Sequence, residues 1–128
     1  MKHKDTEIAF LSGLFDIKGT IKIETPKKSK TASLYIWITD KHFSLMEFLQ
    51  SFGCRIGRKN DGQYRAKWKD RNAHNILKMI LPYLVTKKDQ AEVGIEFYEG
   101  KERNLNIQEN EIPLKLRLRL LKRDDPDE

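Results

Sequence analysis

The chain predicts an α+β fold built on an antiparallel sheet, and three features of its 128 residues carry that reading. Between Glu7 and Glu24 the apolar spacing changes from helical (Ile8, Leu11, Leu14, Phe15) to strict alternation (Thr20 to Glu24), so a helix runs directly into a strand. Two later stretches, Ser33 to Thr39 and Arg55 to Trp68, alternate as half-buried strands, the second around an Asn60-Asp61-Gly62 turn. Segments with helical apolar stripes lie between and after them.

The first helix is expected to be capped by Asp5 or Thr6 and closed by Gly19 in the left-handed conformation. Ser12 and Gly13 place two small side chains in mid-helix, where glycine costs about 1 kcal/mol relative to alanine, so a second helix is expected to approach there. The first strand ends at Pro26, and Thr25 to Thr31 form a basic hairpin tip carrying Lys27, Lys28 and Lys30. In the returning strand Leu34, Ile36 and Ile38 face a core, while Ser33, Tyr35, Trp37 and Thr39 face out. Asp40 to Phe52 reads as a helix buried through Phe43, Met46 and Leu49 and ended by Gly53. In the hairpin that follows, Tyr64, Ala66 and Trp68 point inward with Ile56. Arg55, Lys59, Gln63, Arg65, Lys67 and Lys69 point outward, and a bulge at Gly57 leaves the side of Arg58 open. A third helix starts at Asp70 and carries Ala73, Ile76, Leu77 and Ile80 toward Pro82. A fourth spans Asp89 to Tyr98, with Ala91, Ile95 and Tyr98 inside and Gly100 at its end. Ile112 to Leu121 alternates like a strand but consists of strong helix formers with Pro113 at a first turn, and is read as a helix.

The length predicts one domain over 1–128, with its core at about 7–100 and a C-terminal helix and acidic tail at 108–128. Apolar residues at 38% and charged residues at 34% suit a folded, highly charged globule. No apolar run reaches the roughly 20 residues that span a bilayer, and the first residues lack a signal-peptide core, so an intracellular protein (cytoplasm, nucleoid or an organelle) without a membrane partner is expected. The lone Cys54 can form no disulfide within the chain. Lys and Arg number 25 against 19 Asp and Glu, and Asp124, Asp125, Asp127 and Glu128 hold four of those acids in the last five residues. The remaining body is therefore strongly basic and suited to a polyanion, nucleic acid above all. His3, His42 and His74 show no metal-ligand spacing and are read as surface or capping residues.

The run Leu11-Ser12-Gly13-Leu14-Phe15-Asp16-Ile17-Lys18-Gly19, followed by an alternating strand, resembles the LAGLIDADG motif of homing endonucleases. Pro82 to Ala91 is similar to the family's segment after the third helix, with Lys87 matching a lysine that reaches into the active site. The resemblance covers about Ile8 to Gly100. It implies an αββαββα unit, with a four-stranded antiparallel saddle sheet and helices on one face. It also implies a homodimer formed through the motif helices, here at Leu11, Ser12, Gly13 and Asp16, and a long, near-palindromic duplex DNA as target. The implied DNA contacts lie on the sheet and its loops: Lys22, Glu24, Lys27, Lys28, Lys30, Ser33, Tyr35, Trp37, Thr39, Arg55, Arg58, Lys59, Gln63, Arg65 and Lys67.

The family's second acidic residue, which holds the catalytic metal ion, is replaced by Lys18. Phosphodiester hydrolysis of this kind needs oxygen ligands for Mg²⁺, and an ammonium repels the ion and pairs with phosphate instead. DNA binding without a metal cofactor and with cleavage impaired or lost is the expectation. Asp16 is the carboxylate left near the position for a metal, and Asp40 matches the family's water-organising polar position. Both read more simply as a helix-end carboxylate and a helix cap. Two other outcomes stay open: an active Mg²⁺-dependent endonuclease with a rearranged site, and an RNA-binding intron maturase.

Overall fold

The computed structural model describes residues 3–102, 114 and 117–122. Its elements are α1 (Asp5–Lys18), β1 (Gly19–Glu24), β2 (Ser33–Asp40), α2 (Phe43–Gln50), β3 (Arg55–Arg58), β4 (Tyr64–Lys69), α3 (Arg71–Ile80) and α4 (Lys88–Glu102). The order αββαββα is thus followed by α4. Both hairpins join one antiparallel sheet in the order β1-β2-β4-β3, so the two returning strands pair at its centre.

Alternation assigns the two faces of the sheet. Ile21 and Ile23 of β1, Leu34, Ile36 and Ile38 of β2, and Ala66 and Trp68 of β4 are buried on one side. The helices cover that side with Leu11 and Phe15 of α1, Met46 and Leu49 of α2, the predicted stripe Ala73, Ile76, Leu77 and Ile80 of α3, and Ala91, Val93, Ile95, Phe97 and Tyr98 of α4. Trp68 is buried and satisfied, its indole N–H donating to the Phe52 carbonyl at 2.9 Å.

Several local expectations are corrected. The N-cap of α1 is Lys4, not Asp5 or Thr6, and the Glu7 carboxylate reaches back to accept the Lys4 N–H at 2.8 Å. Gly19 is not left-handed: φ −75° and ψ 152° are extended, and the strand begins there. Glycine is needed because a Cβ would lie 2.4 Å from the buried Phe15 ring, which folds back over the junction. Gly19→Ala should therefore cost about 1–3 kcal/mol, the usual range for overpacking a filled core, readable by urea denaturation.

Helix α2 is shorter than expected because Asp40 stays in β2, and Phe43 is 54% exposed, its ring set edge-on to Tyr64 at 5.5 Å. Gly53, with φ +82°, does end that turn. Asp70 precedes α3 but makes no side-chain cap; its carboxylate accepts the Leu34 N–H at 3.1 Å and ties the helix start to β2. Helix α4 continues through Gly100. Residues 114 and 117–122 are helical, with Leu114 and Leu118 buried, so the described part of the C-terminal segment is a helix. The remainder of 108–128, the acidic tail included, lies outside the described residues. Among the described residues no helix is long and apolar enough to cross a membrane.

Candidate nucleic-acid interface

Because side chains alternate, the face of the sheet away from the helices collects what the core rejects. Register arranges it in rows: Thr20, Trp37, Lys67 and Arg55 across all four strands, then Lys22, Tyr35 and Lys69, then Thr39, Arg65 and Gly57. The two aromatic rings are platforms for cations. The Arg65 guanidinium lies 4.6 Å from the Trp37 ring centroid, the Lys67 ammonium 4.6 Å from that of Tyr35, and the Lys69 ammonium 5.7 Å from Tyr35. Such contacts give each cation about 0.5–2 kcal/mol and hold it without neutralising it. Among the described residues no carboxylate pairs with Arg55, Arg65, Lys67 or Lys69. Ion pairs do form nearby, Lys22 with Glu24 at 3.4 Å and Lys59 with Asp61 at 3.7 Å. The centre of the face therefore keeps its charge, while its margins are partly compensated.

The other predicted contacts divide. Lys27, Lys28 and Lys30 are exposed on the connection between β1 and β2, and Gln63 is exposed beside the second hairpin tip. Ser33 is withdrawn, at 5% exposure. Arg58 pairs in register with Tyr64, two residues from the inward Ile56, so it belongs to the helix side at the sheet edge and lies over the Tyr64 ring. Neither Ser33 nor Arg58 fits the open face. Thr20 and Lys69, absent from the predicted set, do fit it, and the same alternation that selected Lys22 and Lys67 points to both.

Where α1 delivers the chain into β1, Lys18 donates to the Asp40 carboxylate, whose second oxygen accepts from the His42 N–H at 2.9 Å and lies 2.8 Å from the His42 ring nitrogen. Asp40 is buried and Lys18 about half exposed. The Lys18 ammonium holds the Asp40 carboxyl far below the usual carboxylate range, outweighing the desolvation that raises it. Asp40 is therefore neither a helix cap nor a free acid but the counterion of Lys18.

Asp16 is structural. Burial raises its pKa, but the N–H groups of Val85, Thr86 and Lys87 donate to its carboxylate at 2.9–3.1 Å and the net shift is downward. The Thr86 hydroxyl adds a bond to the Asp16 carbonyl at 2.8 Å. Lys87, expected to reach into a site, has 1% exposure in this arrangement. Asp16→Ala should destabilise the chain by about 2–3 kcal/mol through amides left without an acceptor. The sign with pH follows from the lowered pKa: the contribution is complete above the ordinary value of 3.8 and fades as pH falls below it, so the loss should shrink in acid melts.

Helix α1 has a second apolar side. Gly13 is exposed, and a Cβ added there would meet nothing within 4 Å; Phe10 and Ile17, one turn before and after it, are 55% and 62% exposed. Of the four residues expected at a helix-helix interface, Leu11, Ser12 and Asp16 turn into their own chain, and Ser12 donates to the Ile8 carbonyl at 2.7 Å. Only Gly13 faces out. The positions Phe10, Gly13 and Ile17 share helical spacing, a signal available in the sequence but masked by the stronger inner stripe.

The residues present do not fit a catalytic Mg²⁺. At position 18, where the LAGLIDADG resemblance implies a metal ligand, stands an ammonium, and the Asp40 carboxylate is paired with it. Among the described residues no group of three or more His, Cys, Asp or Glu is placed to hold a metal ion.

No protein-family model and no curated protein matches the chain in sequence. Solved structures do. The homing endonuclease I-CvuI, in complex with its target, aligns with TM-score 0.78 and 20% identity over 91% of this chain and 82% of its own. The archaeal intron-encoded homing endonuclease I-Vdi141I, complexed with DNA, gives 0.79 and 16% over 93% and 86%. The LAGLIDADG meganuclease I-AabMI, bound to uncleaved DNA, gives 0.61 and 18% over 76% and 38%. The chain has the fold of the LAGLIDADG homing endonucleases.

Proposed function

We propose that the chain binds duplex DNA through the open face of its sheet, as a homodimer, and that it cleaves DNA poorly or not at all. The observation that carries this reading is the cluster of cations Arg55, Arg65, Lys67 and Lys69, which no carboxylate among the described residues neutralises, on a surface whose rings support the last three. Neighbours of the same fold are complexes with DNA, which supports the same partner. A two-stranded polyanion offers phosphates to the lysines and hydrogen-bonding base edges to a planar guanidinium.

The homodimer is proposed through the outer side of α1. Exposed Gly13 lets a second helix approach, and Phe10 and Ile17 supply apolar contact on either side. A second copy is the occupant of choice because a two-fold contact places two sheet faces in register for two half-sites. Loss of cleavage follows from Lys18, whose charge is opposite to that of a metal ligand and is fixed by Asp40.

Selection of bound sequences from random duplex DNA tests the reading. Two symmetry-related half-sites are expected, with affinity falling steeply with salt as several phosphate contacts are lost. Recovery of no duplex sequence, or preferential capture of structured RNA in competition, would contradict it.

A further inference from the structure

We propose that Arg65 reads a guanine through its major-groove edge in each half-site and that Trp37 is the residue that positions it; the inference rests on the DNA-binding reading above. Arg65 and Trp37 are diagonal neighbours on adjacent strands, a separation that long and aromatic side chains bridge. With its guanidinium 4.6 Å from the ring centroid, Arg65 is held by a face that accepts no hydrogen bond. Its Nε is buried and has no hydrogen-bond partner, so the group is restrained without being satisfied. On the β3 side Arg65 pairs with Gly57, where an added Cβ would meet nothing within 4 Å. The sheet surface on the β3 side of Arg65 therefore carries no side chain.

This differs from Lys67 and Lys69, whose ammonium groups over Tyr35 are rotatable point charges suited to phosphate. A planar fork already deprived of much rotamer freedom matches two acceptors in one plane. Guanine O6 and N7 present that pair in the major groove, where each base pair has its own pattern. The competing target is a phosphate, which takes the same fork without sequence information. No carboxylate among the described residues diverts Arg65 from either.

The test uses the full chain and the duplex it selects. The unaltered protein should require guanine at one position in each half-site, and replacing that guanine by 7-deazaguanine, which lacks the N7 acceptor, should weaken binding about 10-fold. Arg65→Leu removes every donor and should bind guanine and 7-deazaguanine duplexes equally, losing the preference. Trp37→Leu should reduce the preference in the same way, and Trp37→Phe, which keeps a ring, should restore most of it; thermal melts identify any variant that is unfolded. Sequence-specific binding with a base profile unchanged in Arg65→Leu, or uniform losses on every duplex in both Arg65→Leu and Trp37→Leu, overturns the inference and leaves DNA binding intact. Absence of duplex binding by the unaltered protein overturns both.

Discussion

Lys18→Asp combined with Asp40→Asn is expected to make the chain's DNA binding depend on a divalent cation and to add Mg²⁺-dependent cutting of both strands near the middle of its site. Lys18→Asp alone is a poorer test, because it sets a new carboxylate beside buried Asp40 and removes that group's counterion. Loss of the counterion, with a second negative charge added nearby, pushes the Asp40 pKa upward and destabilises the fold until a proton or a cation arrives. The single variant should therefore melt lower in EDTA, by about 1–3 kcal/mol, and recover with Mg²⁺ or Ca²⁺. Asparagine at position 40 keeps an acceptor for the His42 N–H and relieves the repulsion, leaving the new carboxylates of a dimer to act as oxygen ligands. Thermal melts, filter binding and strand-specific gels check each step. A double variant that folds, dimerises and binds, yet shows no metal dependence and no cutting, would contradict the account of Lys18.

Gly13→Leu should convert the proposed dimer to a monomer. Its Cβ direction is open to solvent, so the monomer tolerates the change, while a second helix at that point cannot. Losing the linked half weakens binding to a two-half site by about 10²- to 10⁴-fold, the usual gain from making the second contact intramolecular. Binding to a single half-site should change little. Sedimentation velocity and gel shifts on both duplexes measure it; a dimer mass retained by Gly13→Leu would place the contact elsewhere.

Much of this arrangement is legible in the residues because it is local. The change from helical to alternating spacing at Lys18 and Gly19 is read from apolar positions, and alternation alone sends Lys22, Tyr35, Trp37, Arg65 and Lys67 to one face. What is not legible depends on distant partners. Lys18 and Asp40 are 22 residues apart, and only packing α1 against the end of β2 makes one the counterion of the other. Gly19 signals a special position, but its reason is a Phe15 ring overhead and not a left-handed turn. Helix α1 is apolar on two sides, and the stronger stripe through Leu11 and Phe15, which is buried, hides the exposed one at Phe10 and Ile17. Asp16 matched a position in a motif, yet backbone N–H groups 69 to 71 residues away fix it.

The central claim is that the open sheet face binds duplex DNA while Lys18, held by Asp40, stands in place of a metal ligand. Its most direct test is one titration of the unaltered chain against its selected duplex, in EDTA and in Mg²⁺, with both strands end-labelled. The account predicts, at matched ionic strength, an affinity in Mg²⁺ no higher than in EDTA and intact strands throughout. Binding that requires Mg²⁺, or efficient cutting of the duplex when Mg²⁺ is present, would contradict it.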